Sequence, residues 1–174
     1  MSSFFFHQLD DRTRSFMVAE LEGDLASGTL YLSRDFSASG RSAYADIIRT
    51  ALTAGDEDSL KVALTPNFFN ETRTDKNGRV SRLNRDDSAR KFADGEFLRF
   101  YLRGLCLRAE ADGVAELEIY RAKQSANPRR ESEEKIGTHV VASELLADLR
   151  QNKGLDTHLG LPPGPHSGLA ARYR

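Results

Sequence analysis

The chain has 174 residues, 39% hydrophobic and 29% charged, which suits one soluble domain burying about two-thirds of its unfolded surface. A net charge of −1 and a single cysteine argue against a dedicated basic nucleic-acid binder, an intrachain disulfide framework and a cysteine-based zinc site. No apolar run approaches the roughly 20 residues that span a bilayer.

The chain opens on Phe4, Phe5 and Phe6 with no basic residue before them, too short a block for a signal peptide. A cytoplasmic location, or a place in an assembled particle, is expected. Residues 1–8 read as an apolar hook. A helix is predicted over 9–22, where Leu9, Phe16, Met17 and Leu21 share one side. Thr29 to Leu32 is a short strand candidate. Tyr44, Ile47, Ile48, Ala51 and Leu52 follow the i, i+3, i+4, i+7, i+8 pattern of an amphipathic helix closed by Gly55. A shorter helix follows from Glu57 to Leu64, capped by Asp56 and stopped before Pro66.

Asn77-Gly78 lies between polar arms and predicts a type I′ hairpin near 72–83. The arms hold few apolar groups, so this hairpin is expected in solvent or on a partner. The most distinctive stretch, DGEFLRFYLRGLCLRAEADG, then predicts a central helix over about 94–111. Asp94 would be its N-cap and Gly113 its stop. Leu98, Tyr101, Leu102, Leu105, Cys106 and Ala109 form one apolar face, and Phe97, Phe100, Gly104 and Leu107 fill much of the other. A helix apolar nearly all round belongs inside a core. Its narrow charged stripe holds Glu96, Arg99, Arg103 and Glu110. Pairing within the helix is the simple reading, and a buried charge cluster fixing a partner helix is the sharper one.

Residues 114–122 alternate as a half-buried strand, with 136–141 a weaker strand able to pair with it. Residues 123–135 read as a polar connector. A last helix presents Leu145, Leu146 and Leu149. The expected class is helix-rich α+β: five helices with a small sheet from 29–32, 114–122, 136–141 and the hairpin. Residues 1–153 form the expected domain, and 154–174, rich in Gly and Pro, an extended arm.

The chemistry-bearing patterns are sparse. There is no phosphate-binding GxxxxGK[ST] or GxGxxG loop and no GxSxG elbow. His7, His139, His158 and His166 lack ligand spacing, so no metal site and no cofactor is expected. Cys106 sits among leucines as a small core residue. Asp112, Glu116, Glu118 and Lys123 resemble the acid and lysine set of a metal-dependent nuclease, but the Glu-x-Lys spacing is missing. Paired carboxylates at 10–11 and 86–87 fall at predicted helix starts, where the dipole favours them.

Charge is segregated along the chain. Residues 70–91 carry seven basic against four acidic side chains, and residues 121–135 carry five against three. Arg73, Lys76, Arg79, Arg82, Arg129 and Arg130 are therefore candidate phosphate contacts, in basic segments 73–91 and 121–135. The leading expectation is a non-enzymatic structural or interaction subunit of a larger assembly, such as a phage-like or mobile-element component. It would dock on protein subunits, self or hetero, through Phe4, Phe5, Phe6, Leu159, Leu161, Pro162, Pro163 and Leu169. The alternative is a nucleic-acid-binding accessory protein; no membrane partner is expected.

Overall fold

A computed structural model describes residues 4–153, 159 and 167–173. The fold is helix-rich α+β, built around one long helix. Helix α1 (Asp11–Ala26) starts at Asp10, whose side chain accepts from the Thr13 N–H at 3.0 Å. Its buried residues Thr13, Met17, Glu20, Leu21 and Asp24 lie on one stripe. Helix α2 (Ala38–Ala54) is capped by Ser37 and buries Tyr44, Ile48, Ala51 and Leu52. Helix α3 (Glu57–Ala63) opens with a reciprocal cap, in which Asp56 and Ser59 each satisfy the other's backbone N–H. A 3-10 turn at Pro66–Phe68 leads to the hairpin of β1 (Thr72–Thr74) and β2 (Val80–Arg82).

The hairpin stands where expected but turns differently. A type I′ turn needs positive φ at two residues, and among the described residues only glycines have positive φ. Gly78 (φ +80°) closes a longer, three-residue loop in which the Asp75 carbonyl accepts from the Gly78 N–H at 3.0 Å and the Asp75 N–H donates to the Arg79 carbonyl at 2.9 Å. The Asp75 carboxylate takes the N–H groups of Asn77 and Arg79 at 2.8 and 2.9 Å. The aspartate therefore does locally what Asn77 was expected to do.

The central helix α4 (Arg85–Ala111) is 27 residues long and begins nine residues before the expected start. Asn84 caps it, accepting from the Asp87 N–H at 3.1 Å, and Asp86 and Asp87 fill the first turn. Asp94 is no cap. It lies inside the helix, 4% exposed, and holds Lys123 at 2.6 Å. Nothing between Arg85 and Asp94 breaks a helix, and Ala89 and Ala93 continue the buried face toward the hairpin. From Glu96 to Cys106 every residue of α4 is buried. Helices α1, α2, α3 and the later α6 (Ala142–Gln151) pack against it.

Gly104 allows the closest of these contacts. A Cβ there would lie 2.9 Å from the Met17 backbone nitrogen and 3.0 Å from the Thr13 carbonyl. Side-chain loss at one position thus lets two helix backbones meet. The buried charges fix the same pairing. Arg103 is 2% exposed and crosses to α1, reaching Glu20 at 2.6 Å and Asp24 at 2.7 and 3.0 Å. The stripe therefore divides: Arg99 pairs within its helix with Glu96, and Arg103 makes the buried cluster with a partner helix.

Strand β3 (Glu116–Arg121) is central in a three-stranded antiparallel sheet, flanked by β4 (His139–Val141) and β5 (Leu169–Arg172). The expected pairing of 114–122 with 136–141 is present, with Leu117 opposite Val140. The third strand is a correction on two counts. Residues 29–32 are irregular and join neither sheet. The place is taken by residues of the expected C-terminal arm: Ala170 and Ala171 face Tyr120 and Ile119, and Leu169, Ala170 and Ala171 are all 0% exposed. Small apolar residues suit a strand pressed between sheet and core. Within the expected connector, Arg130–Lys135 forms one further helix, α5. Among the described residues there are six helices rather than five. No helix among them is long and apolar enough to cross a membrane.

The N-terminal phenylalanines are also placed on their own domain. Phe4 is 5% exposed, Phe6 stacks on it at 5.3 Å, and Phe6 also meets Tyr101 at 4.5 Å. The Phe4 N–H donates to buried Glu57, and the Phe5 N–H pairs with the Ala122 carbonyl. Phe5 alone turns outward.

Candidate ligand-binding cavity

Below the hairpin, one side of α4 faces a gap edged by the hairpin, the 31–35 segment and Leu149 of α6. The cap residue Asn84 and then Ser88, Lys91, Phe92, Gly95, Arg99 and Leu102 recur at helical spacing and line a cavity of about 420 Å³. The volume lies in the range of small-molecule sites. Ser81, Arg82 and Leu83 from β2 and its exit form one wall. Tyr31, Ser33 and Asp35 form the other, and Leu98 and Leu149 contribute to the apolar lining. The irregular course of 31–35 has a structural result here, because it brings Tyr31 beside Phe92 with ring centroids 6.0 Å apart.

Most charges around this cavity are already matched. The Arg73 guanidinium binds Asp35, with Nε donating to Oδ1 at 2.9 Å, which ties β1 to the 31–35 segment. Lys91 meets Asp87 at 2.6 Å, and Arg90 holds the same carboxylate. Those hydrogen bonds from Lys91 and Arg90 lower the Asp87 carboxyl below its ordinary value. Arg82 makes no ion pair among the described residues.

Arg99 and Glu96 differ from the rim. Both are under 5% exposed. Arg99 Nη2 donates to Glu96 Oε2, and its guanidinium carbon lies 5.5 Å from the Tyr31 ring and 5.6 Å from Phe100. Its Nε and Nη1 are buried without an acceptor among the described residues. A buried, half-partnered guanidinium is costly, because water is lost and nothing replaces it. Glu96 Oε1 likewise accepts no hydrogen bond among the described residues. Burial raises the Glu96 carboxyl above its ordinary value, against the opposing charges of Arg99 and Arg103. Burial and the Glu96 charge also raise the phenols of Tyr31 and Tyr44.

The expected site residues are distributed over the surface. Arg73 and Arg82 belong to the cavity, whereas Lys76 and Arg79 lie in the exposed hairpin turn. Arg129 precedes α5, and Arg130 pairs with Glu134 at 2.8 Å. The residues expected to hold a partner are Phe4 and Leu169 in the core, Leu159 at 0% exposure, Phe6 half-buried and Phe5 exposed. Leu161, Pro162 and Pro163 lie outside the described residues, as do His158 and His166. The nuclease-like acids have separate partners: Asp112 binds Arg12, Glu118 binds Arg172, and Lys123 binds Asp94. Among the described residues no group of three His, Cys, Asp or Glu side chains is placed to hold a metal ion.

Sequence reasoning singled out Arg99 and Glu96 for their place on the polar stripe, but missed Tyr31, Leu83 and Ser88. Their one signal was weak: Ser88, Lys91, Phe92, Gly95 and Arg99 share a face once the helix is extended back to Arg85. The chain matches no family model, no curated protein and no solved structure.

Proposed function

We propose that the protein binds a small organic molecule in the cavity between α4 and the hairpin. One observation carries this reading: a cavity of about 420 Å³ in which the apolar side chains of Phe92, Leu98 and Leu102 meet the polar groups of Arg82, Ser88 and Lys91. The apolar walls would exclude water around a bound molecule and strengthen its polar contacts. Among the described residues lining the cavity, Asp35, Asp87 and Glu96 are all engaged by cations, so no carboxylate stands free there for the paired acid and base of a hydrolytic site. A binding role is therefore favoured over turnover.

The chain has no tryptophan, so Leu83→Trp places a unique fluorophore at the cavity mouth. Titration with 1-anilinonaphthalene-8-sulfonate, an aromatic anion, is expected to quench it with one-to-one saturation. Arg82→Ala, which removes an exposed cation of the rim, should weaken binding of this anion by a few-fold. Ser88→Phe, which narrows the mouth from a half-buried helix position, should block it with the fold intact. Unsaturable quenching, or equal binding by the Ser88→Phe protein, would refute the reading.

The second reading is the assembly subunit, now resting on Phe5. It is 67% exposed beside two packed phenylalanines. An oligomer in light scattering that dissociates on Phe5→Ser would support this role; a monomer in both forms would remove it.

A further inference from the structure

We infer that the cavity and the free edge of β2 form one docking groove for an extended segment of another protein, in which acidic residues alternate with apolar ones. The inference rests on the ligand-binding reading above and names a partner that reaches the cavity from the strand edge. The hydrogen bonds of the hairpin fix which backbone groups are available. The Leu83 N–H donates to the Glu71 carbonyl at 2.8 Å and the Asp75 N–H to the Arg79 carbonyl at 2.9 Å, so the bonded pairs are 71 with 83, 73 with 81 and 75 with 79. Val80 and Arg82 fall between these pairs. Their backbone N–H and C=O groups point away from β1 along the unpaired edge. Both residues are exposed, and these groups have no hydrogen-bond partner among the described residues.

The cavity lies along this edge. A strand that meets a cavity with one face lends it alternate residues. Here three consecutive ones, Ser81, Arg82 and Leu83, line the cavity, whereas β1 contributes Arg73 alone. A third strand laid on β2 would pair with Val80 and Arg82 and pass over the opening. Every second side chain of that strand falls on the side of Ser81 and Leu83, toward Tyr31 and Phe92, which suits an apolar anchor. The others stand beside Arg82, and charge decides what they are. Lys76, Arg79, Arg82 and Arg85 make no ion pair among the described residues. Of the acids in residues 71–87, Asp87 is held by Arg90 and Lys91, and the Asp75 carboxylate by two N–H groups of the turn, which leaves Glu71 and Asp86. Acidic side chains are therefore favoured in the partner. The same cations oppose pairing of β2 with β2 of a second copy, the usual hazard of an open edge.

The test uses the full chain and a short fluorescein-labelled peptide that alternates aspartate with phenylalanine. Saturable binding in fluorescence anisotropy is expected, as is displacement of the anilinonaphthalene sulfonate from the Leu83→Trp protein. Two further peptides, N-methylated at complementary sets of alternate amides, separate edge pairing from charge alone. One set should weaken binding by about tenfold or more, because it removes the donors to β2, and the other should change it little. Val80→Pro removes an outward N–H without touching the ladder or any charge, and should weaken the peptide by a few-fold. Probe binding without peptide binding overturns this inference and leaves the cavity reading standing. Failure of both probe and peptide to bind overturns the cavity reading itself. Equal effects of the two methylated sets, or peptide binding that leaves the probe in place, also overturn the inference. So does tighter binding of a single-stranded oligonucleotide, or a dimer that Val80→Pro dissociates, because nucleic acid or a second copy would then take the edge.

Discussion

Replacing Gly104 by alanine sets two physical effects against each other at one atom. In the middle of a 27-residue helix, alanine is better than glycine by about 1 kcal/mol on helix propensity alone. Gly104 is fully buried against α1, where the new Cβ would meet Met17 Cγ at 2.6 Å, Met17 N at 2.9 Å and Thr13 O at 3.0 Å. The methionine side chain can move. The two backbone atoms can yield only if α1 shifts from α4, and Arg103 beside the glycine holds α1 through Glu20 and Asp24. Overpacking of this kind costs about 1–3 kcal/mol, and rigid backbone partners place it near the upper end. The net expectation for Gly104→Ala is a loss of about 1–2 kcal/mol, a Tm lower by about 2–8 °C for a domain of this size. Urea unfolding followed by circular dichroism measures it. Adding Met17→Ala removes the flexible contact alone, so most of the loss from the Gly104 change should persist. A Gly104→Ala protein as stable as its parent would refute the close backbone approach.

Further expectations concern the charges and the thiol. Arg103→Met leaves Glu20 and Asp24 with Arg150 and Lys153 only, and should lose about 3 kcal/mol in urea unfolding, the low end for breaking a buried pair. A loss below about 1 kcal/mol would mean the buried network contributes little. For Glu20 and Asp24, burial would raise the carboxyls, but hydrogen bonds and charge from Arg103, Arg150 and Lys153 outweigh it and hold both low. Their folded values lie below the unfolded ones. The stability they add is therefore present above the ordinary carboxylate range and lost as pH falls below about 4. The urea midpoint should drop between pH 5 and 3, and Glu20→Gln should flatten that slope; an unchanged slope counts against the assignment. Cys106 is buried, and burial pushes its thiol up, so a thiol reagent should label it slowly in the native protein and rapidly in urea. Fast native labelling would contradict its burial.

Periodicity and local chemistry alone gave the helix-rich α+β class, the amphipathic α2, the short α3, the pairing of β3 with β4 and a central helix buried on all sides. Each rests on short-range facts: apolar spacing, a capping side chain, alternation along a strand. Asp94 was misread as a start because a good cap residue looks the same in a loop and inside a helix. Its role turned on Lys123, 29 residues away. The same limit applied to the terminal segments. Phe4, Phe6 and Leu169 to Ala171 are apolar whether they reach a neighbour or fold back, and only the free edge of β3 and the space beside Tyr101 decided that they fold back. The cavity too is a product of tertiary placement. Tyr31, Leu83 and Arg99 become neighbours because the hairpin and the 31–35 segment are tied together across one face of α4, and no spacing along the chain encodes that meeting.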